Sequence, residues 1–234
     1  MRTRYAVSVA FVGMFLVTLS PAFAGEHKPC ADKDALCKEF ARLAEAEQYD
    51  KIVEKVDAKT SYSDASREYI GQAYLMVAGK DTNTPEQEEQ LCLKALEYGA
   101  TSAYMGLYFL SADKSPEKAL NYLRQYVSTK PQDAVPYVIL GEAEFDKSNY
   151  LAAHTFLMEA KRVGRGKSAN LDWMLFQTGY LTGDYAAAAS MLESAFAQGK
   201  TMNDLQTLLK KDARFSELEK RAEFRKFFPP APKS

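Results

Sequence analysis

The chain has 234 residues, 47% hydrophobic and 26% charged, with 30 Lys and Arg against 31 Asp and Glu. These proportions exclude an intrinsically disordered or fibrous chain. The balanced charge lacks the clustered basic field that phosphate neutralisation needs, so a nucleic-acid partner is excluded as well. Gly and Pro, at 12 and 9 residues, fall below their usual joint share of about 12%, which favours a helical chain.

The first segment reads as a secretory signal. Arg2 and Arg4 form a basic start, Ala6 to Leu19 carries no charge, and Ala22-Phe23-Ala24 gives the small-x-small pattern of a cleavage site, predicting a cut after Ala24. As a helix, the apolar run would span about 21 Å against a hydrocarbon core of about 30 Å, too short for an anchor. The rest of the chain has no comparable apolar run, so no membrane span is expected after cleavage. A bacterial-looking signal of this kind places the product in the periplasm or outside the cell.

Export allows a disulfide among Cys30, Cys37 and Cys92. The odd count leaves at least one thiol unpaired within the chain, and spacing alone permits Cys30 with Cys37 or Cys37 with Cys92. Cys30 and Cys37 are too far apart for a C-x-x-C redox motif.

From Asp32 on, apolar residues recur every three or four positions, as in Leu36, Phe40 and Leu43, and again in Ile52, Val53 and Val56. Short polar or breaking stretches divide these stripes at Glu47 to Asp50, Thr82 to Pro85, Lys114 to Pro116 and Thr129 to Pro131, the rhythm of antiparallel helix pairs. Caps are expected at Ser63 and Asp64, at Thr84 with Pro85 and Glu86, and at Ser115 with Pro116. The stripes repeat: Ala119 and Leu123 recur as Ala153 and Leu157, then with Ala160 as Ala188, Leu192 and Ala195, while Gly71 and Gly106 show the same period. A period in the mid-thirties means stacked two-helix units.

The best unit carries Tyr137, Leu140, Gly141, Ala153, Leu157 and Ala160 at the spacings of the tetratricopeptide signature, with Glu144 where that signature has Tyr. Arg67-x2-Ile70-Gly71-x2-Tyr74, then Ala119, Leu123 and Pro131, and finally Trp173, Phe176 and Tyr180 supply further partial matches. The segment Ala95 to Ala103 looks like the linker of Sel1-like repeats. The chain therefore resembles the tetratricopeptide and Sel1-like repeats from Ser63 to Gly199, with a weaker first pair over Asp32 to Asp57. That resemblance implies an all-α, right-handed α-solenoid of about five antiparallel helix pairs. The array is expected over residues 25–200, a helical cap over 201–228 that covers the last apolar face, and a Pro-rich tail at 229–234.

Catalytic groups are sparse. The histidines are His27 and His154, neither set beside a nucleophile. His27, Cys30 and Cys37 match no zinc template, and the sequence has no phosphate-cradling glycine loop, no G-x-S-x-G and no H-E-x-x-H. Glu86, Glu88 and Glu89 read as a solvated helix start. No enzyme activity, metal or cofactor is expected.

The resemblance implies instead a concave groove lined by the first, or A, helix of each pair. Carried over, its lining is Gln72, Met76, Met105, Phe109, Glu142, Phe145, Met174, Thr178 and Leu181, rich in the Met and Phe that suit a bound helix or extended peptide. The expected function is a scaffold binding a protein or peptide partner of the cell envelope. One alternative is an assembly factor built permanently into a secretion, pilus or outer-membrane machine; another is a thiol- or metal-dependent enzyme using Cys30, Cys37 and His27.

Overall fold

A computed structural model describes residues 28–164 and 168–228. The expected signal segment Met1–Ala24, His27 and the Pro-rich tail lie outside the described residues. The described chain holds eleven α-helices and no strand. The helices are α1 (Ala35–Glu45), α2 (Tyr49–Glu54), α3 (Asp64–Ala78), α4 (Pro85–Glu97), α5 (Ala103–Ser111), α6 (Pro116–Ser128), α7 (Val135–Asp146), α8 (Tyr150–Val163), α9 (Ala169–Thr182), α10 (Tyr185–Ala197) and α11 (Met202–Lys211). Three 3-10 turns follow, Ala213–Phe215, Leu218–Lys220 and Ala222–Phe227. Consecutive helices pack as pairs, α1 with α2 and so on to α9 with α10, and the short turns within them make antiparallel neighbours.

The chain forms two compact units, one ending at Thr129 and the other beginning at Lys130. The expected array is divided there, and the expected cap belongs to the second unit. At the division Lys130 takes a left-handed φ of 54° and Pro131 lacks a donor, so α6 cannot run on.

In the first unit, the period of α1 turns Cys37, Phe40 and Leu43 inward, where Phe40 and Leu43 meet Ile52, Ile70 and Ala73. Fully burying a side chain such as Phe40 or Ile52 stabilises by about 1.5–3 kcal/mol each. A second cluster joins Ala78, Cys92, Ala95, Ala103 and Leu107. The starts of α1 and α3 are tied together: Asp34 accepts from the Cys37 backbone N–H at 2.9 Å and from the Ser63 hydroxyl at 2.6 Å, and these bonds hold its carboxyl below the usual range. Ser63 in turn caps α3 through the Ser66 N–H. Thr84 and Gln87 form a reciprocal capping box over Pro85. Ser115 stands at the cap of α6, but its hydroxyl makes no cap bond.

In the second unit, α7 and α8 close on a glycine. A Cβ built at Gly141 would lie 2.7 Å from Leu157 Cγ, so only glycine permits this approach. The last pair has the larger core, with Phe176, Leu192, Leu205, Phe215, Leu218 and Phe224 all at 0% exposure. Behind it, buried Asp172 of α9 accepts from Lys161 of α8 at 2.6 Å, from Ser194 of α10 and from Gln198 at the end of that helix. Burial alone would raise the Asp172 pKa, but these donors outweigh it and hold the carboxylate below the usual range.

Three of the five turns inside the pairs repeat one backbone bond. Gln48 N–H bonds Leu43 C=O, Asn149 N–H bonds Glu144 C=O and Asp184 N–H bonds Gly179 C=O, each at 2.8–2.9 Å across a residue of positive φ. That six-to-one bond satisfies a carbonyl orphaned by the helix end. Glu47 and Ser148 adopt φ of 55° and 62° in the first two turns, whereas Gly183 reaches 87° in the third. Gly183 is itself the cap of α9, so the helix runs one residue further into a turn of the same span.

Candidate functional site

The A helices are α1, α3, α5, α7 and α9. In the first unit, Gln72 and Met76 stand half-buried on α3, and Met105 and Phe109 half-buried on α5. Helix α5 has no charged residue, yet its buried positions are confined to Ala103, Leu107 and Ser111. A helix apolar on every side is one whose remaining faces also favour contact over water. Phe109 is braced edge-on by Tyr108, with ring centres 5.1 Å apart.

In the second unit the expected lining separates into three situations. Glu142 on α7 is exposed, but its carboxyl end is partly desolvated and lies near Asp146, which together push its pKa up. Phe145 is already engaged: its ring packs edge-on to Tyr150 at 5.5 Å, and the Arg214 guanidinium sits over both rings at 5.2 and 5.3 Å. Arg214 also donates to the Tyr150 hydroxyl and pairs with Asp212 through two nitrogens. Met174 is half-buried, and Leu181 packs on the core of the last pair.

Thr178 departs from expectation outright. It is fully buried, its hydroxyl 3.0 Å from Met174 C=O and 2.9 Å from His154 Nδ1 of α8, so it cannot line a groove. The physical reason is register. Gly141 packs on Ala153 and Leu157, and in the last pair Gly179 packs on Ala188. Ala153 and Ala188 stand 35 residues apart, but the two glycines stand 38 apart. The turn bonds Asn149 to Glu144 and Asp184 to Gly179 also stand 35 apart, so Gly179 takes the place of Glu144 rather than Gly141, and Thr178 takes that of buried Ala143. Tyr180 takes the place of half-buried Phe145, and Phe176 that of Gly141. The sequence reading missed Tyr180, Phe176 and Arg214 as residues of this face. The 35-residue spacing of Ala153 and Ala188 was the signal that would have set the register.

Among the alternative chemical groups, Cys30 and Cys37 are joined in a disulfide, with Cα atoms 5.6 Å apart. Cys92 is a buried free cysteine whose thiol is pushed up to about 12 by burial and then by Glu88 and Glu89. A thiol held there has almost no thiolate at neutral pH, so it is a poor nucleophile. The His154 pKa is pushed down by burial, partly opposed by Asp184. Among the described residues no group of three or more His, Cys, Asp or Glu is placed to hold a metal ion. Nor is any described helix long and apolar enough to cross a membrane.

No family model and no curated protein matches the chain. Among solved structures it is similar to MamA of AMB-1, at 13% identity over 73% of this chain and 94% of that one, with a TM-score of 0.43. It is similar to pilF of Pseudomonas aeruginosa, at 13% identity over 83% and 96%, with a TM-score of 0.40. A third is the Cut9–Hcn1 hetero-tetramer of the APC/C, at 14% identity over 92% of this chain and 39% of that one, with a TM-score of 0.37. Overlays this loose carry no argument. The fold is assigned from this chain's own helix pairs and recurring six-to-one turns: the described residues form an all-α array of antiparallel helix pairs.

Proposed function

We propose that this chain is an exported, non-catalytic scaffold that binds a protein or peptide through the A-helix face of its first unit. The observation that carries the reading is the set Gln72, Met76, Met105 and Phe109, half-buried on α3 and α5 and without a formal charge. Met and Phe on such a surface supply contact area without demanding one partner geometry. The raised thiol of Cys92 and the pairing of Cys30 with Cys37 support a role without thiol chemistry. Export to the periplasm or beyond is supported by the signal pattern of residues 1–24 and by a disulfide that suits an oxidising compartment.

The test is affinity capture of envelope proteins on residues 25–234, run beside the double variant Met76→Glu, Met105→Glu. The expected result is a partner held by the natural chain and lost by a variant whose circular dichroism is unchanged. Retention of the same set by both chains overturns the reading.

A further inference from the structure

The segment after α11 is built as a peptide laid on helices rather than as another helix. Its backbone bonds close within itself: Phe215 N–H to Asp212 C=O, Lys220 to Glu217, Arg221 to Leu218, Phe224 to Arg221 and Phe228 to Arg225. Lifting it away would therefore orphan none of these backbone groups on the helices beneath. Attachment falls to side chains. Phe215, Leu218 and Phe224 are at 0% exposure, while Ser216, Glu217, Glu219, Lys220, Arg221 and Glu223 between them are exposed. The Phe215 ring lies 5.1 Å from Tyr180 and 5.9 Å from Phe176, and the Phe224 ring 5.8 and 6.0 Å from the same two. Arg214 covers Phe145 and Tyr150, Arg221 lies 4.1 Å over Tyr185, and Lys226 pairs with Glu193.

The covered positions are the point. Tyr180 stands in α9 where Phe145 stands in α7, so the segment lies on the same A-helix position of both pairs in this unit. We propose that Asp212–Phe228 is a built-in groove peptide, which occupies this face and competes with an incoming peptide of the same chemistry. Such a peptide carries a basic residue followed by an aromatic and then an aliphatic anchor, as in Arg214-Phe215-x2-Leu218. The aromatic corner of Phe145 and Tyr150 takes the cation, and the slot of Phe176, Tyr180 and Leu192 takes the aromatic ring.

The inference rests on reading A-helix faces as binding surfaces, and the two fail differently. Unchanged capture by the Met76→Glu, Met105→Glu chain overturns that reading, while the following test addresses self-occupancy alone. A labelled peptide of residues 211–228 is titrated against the full natural chain and against the full chain carrying Arg214→Ala and Phe224→Ala, which loosen the segment. The expected result is binding to the variant at least tenfold tighter than to the natural chain, with helical circular dichroism retained. Equal binding, no binding to either, or loss of the helical signal in the variant overturns the proposal, the last because the segment would then be inseparable core. Hydrogen exchange on the unaltered chain gives a second reading. Amides of Phe215, Lys220 and Phe224 are expected to exchange at least tenfold faster than those in the middle of α9 and α10, and equal protection overturns the proposal.

Discussion

The two units solve the same problem in opposite ways. On the A-helix face of the first unit Gln72, Met76, Met105 and Phe109 stand half-buried, whereas in the second unit Phe145 of α7 and Tyr180 of α9, which occupy equivalent places, lie under Arg214, Phe215 and Phe224. At Tyr180 and Phe176 the A-helix face forms an aromatic slot that water solvates poorly, and the chain fills it with Phe215 and Phe224. Their cores differ in kind as well. Tyr62, Tyr74 and Tyr98 stack half-buried around the first unit's core, whereas three phenylalanines of the last pair and its cap are fully enclosed. Within one chain, an A-helix face is thus closed where the chain's own end returns to it with aromatic and cationic side chains.

The comparison breaks most visibly at Phe176. Its ring touches Trp173, Phe215 and Phe224, so Phe176→Ala is expected to cost the second unit about 3–5 kcal/mol in urea unfolding. A loss under about 1 kcal/mol would mean that the aromatic slot does not hold the cap. On the other side of the comparison, reducing Cys30–Cys37 releases a short loop at the start of the first unit. It should lower that unit's stability by about 2 kcal/mol on chain-entropy grounds, and an equal drop in the second unit would show that the two unfold together.

A smaller effect sharpens the role of glycine. Gly141→Ala crowds Leu157, which is itself fully buried, at a cost of about 1–3 kcal/mol, against which helix propensity returns about 1. A net loss of roughly 1 kcal/mol is expected. Gly106→Ala meets Cys92 Sγ alone at 3.0 Å and should come out nearer to neutral, so equal losses at the two sites would refute the close-approach argument. The smallest effect is in pH. Burial depresses His154 in the folded second unit, so the unfolded chain takes up the proton more readily. Its contribution is present above the ordinary histidine value of about 6.5 and is lost as pH falls below it. The second unit's denaturant midpoint should therefore fall more between about pH 7.5 and about pH 5.5 in the natural chain than in His154→Gln, and parallel profiles would remove His154 from the account.

The helix pairs were legible in the sequence because apolar spacing and small residues act locally. Phe40, Leu123, Leu157 and Leu192 all lie inside where their periodicity puts them. The face of α9 was not legible by the same means. Trp173, Phe176 and Tyr180 imitate the spacing of a signature, but that match lies one residue out of the 35-residue register that the turn bond from Asp184 to Gly179 sets. In the true register Thr178 stands where Ala143 is buried in α7. Nor could composition anticipate that Arg214, many residues from Phe145 in the chain, would lie on its ring; such a contact depends on the path of an irregular segment, which has no periodicity to read.

The placement of the cysteines has a further consequence, for biogenesis. Cys30 and Cys37 stand seven residues apart, while Cys92 lies far along the chain. Closing the short loop is favoured over either long one by roughly twentyfold if closure falls with the three-halves power of loop length. The correct bridge therefore wins as long as Cys92 is soon withdrawn. Its withdrawal depends on α4, with its buried Ala95, docking against Ala78, Ala103 and Leu107. Packing in the second helix pair thus acts as protection against mispairing in the first, and an Ala95 variant that slows docking should accumulate scrambled isomers even where its final stability is adequate.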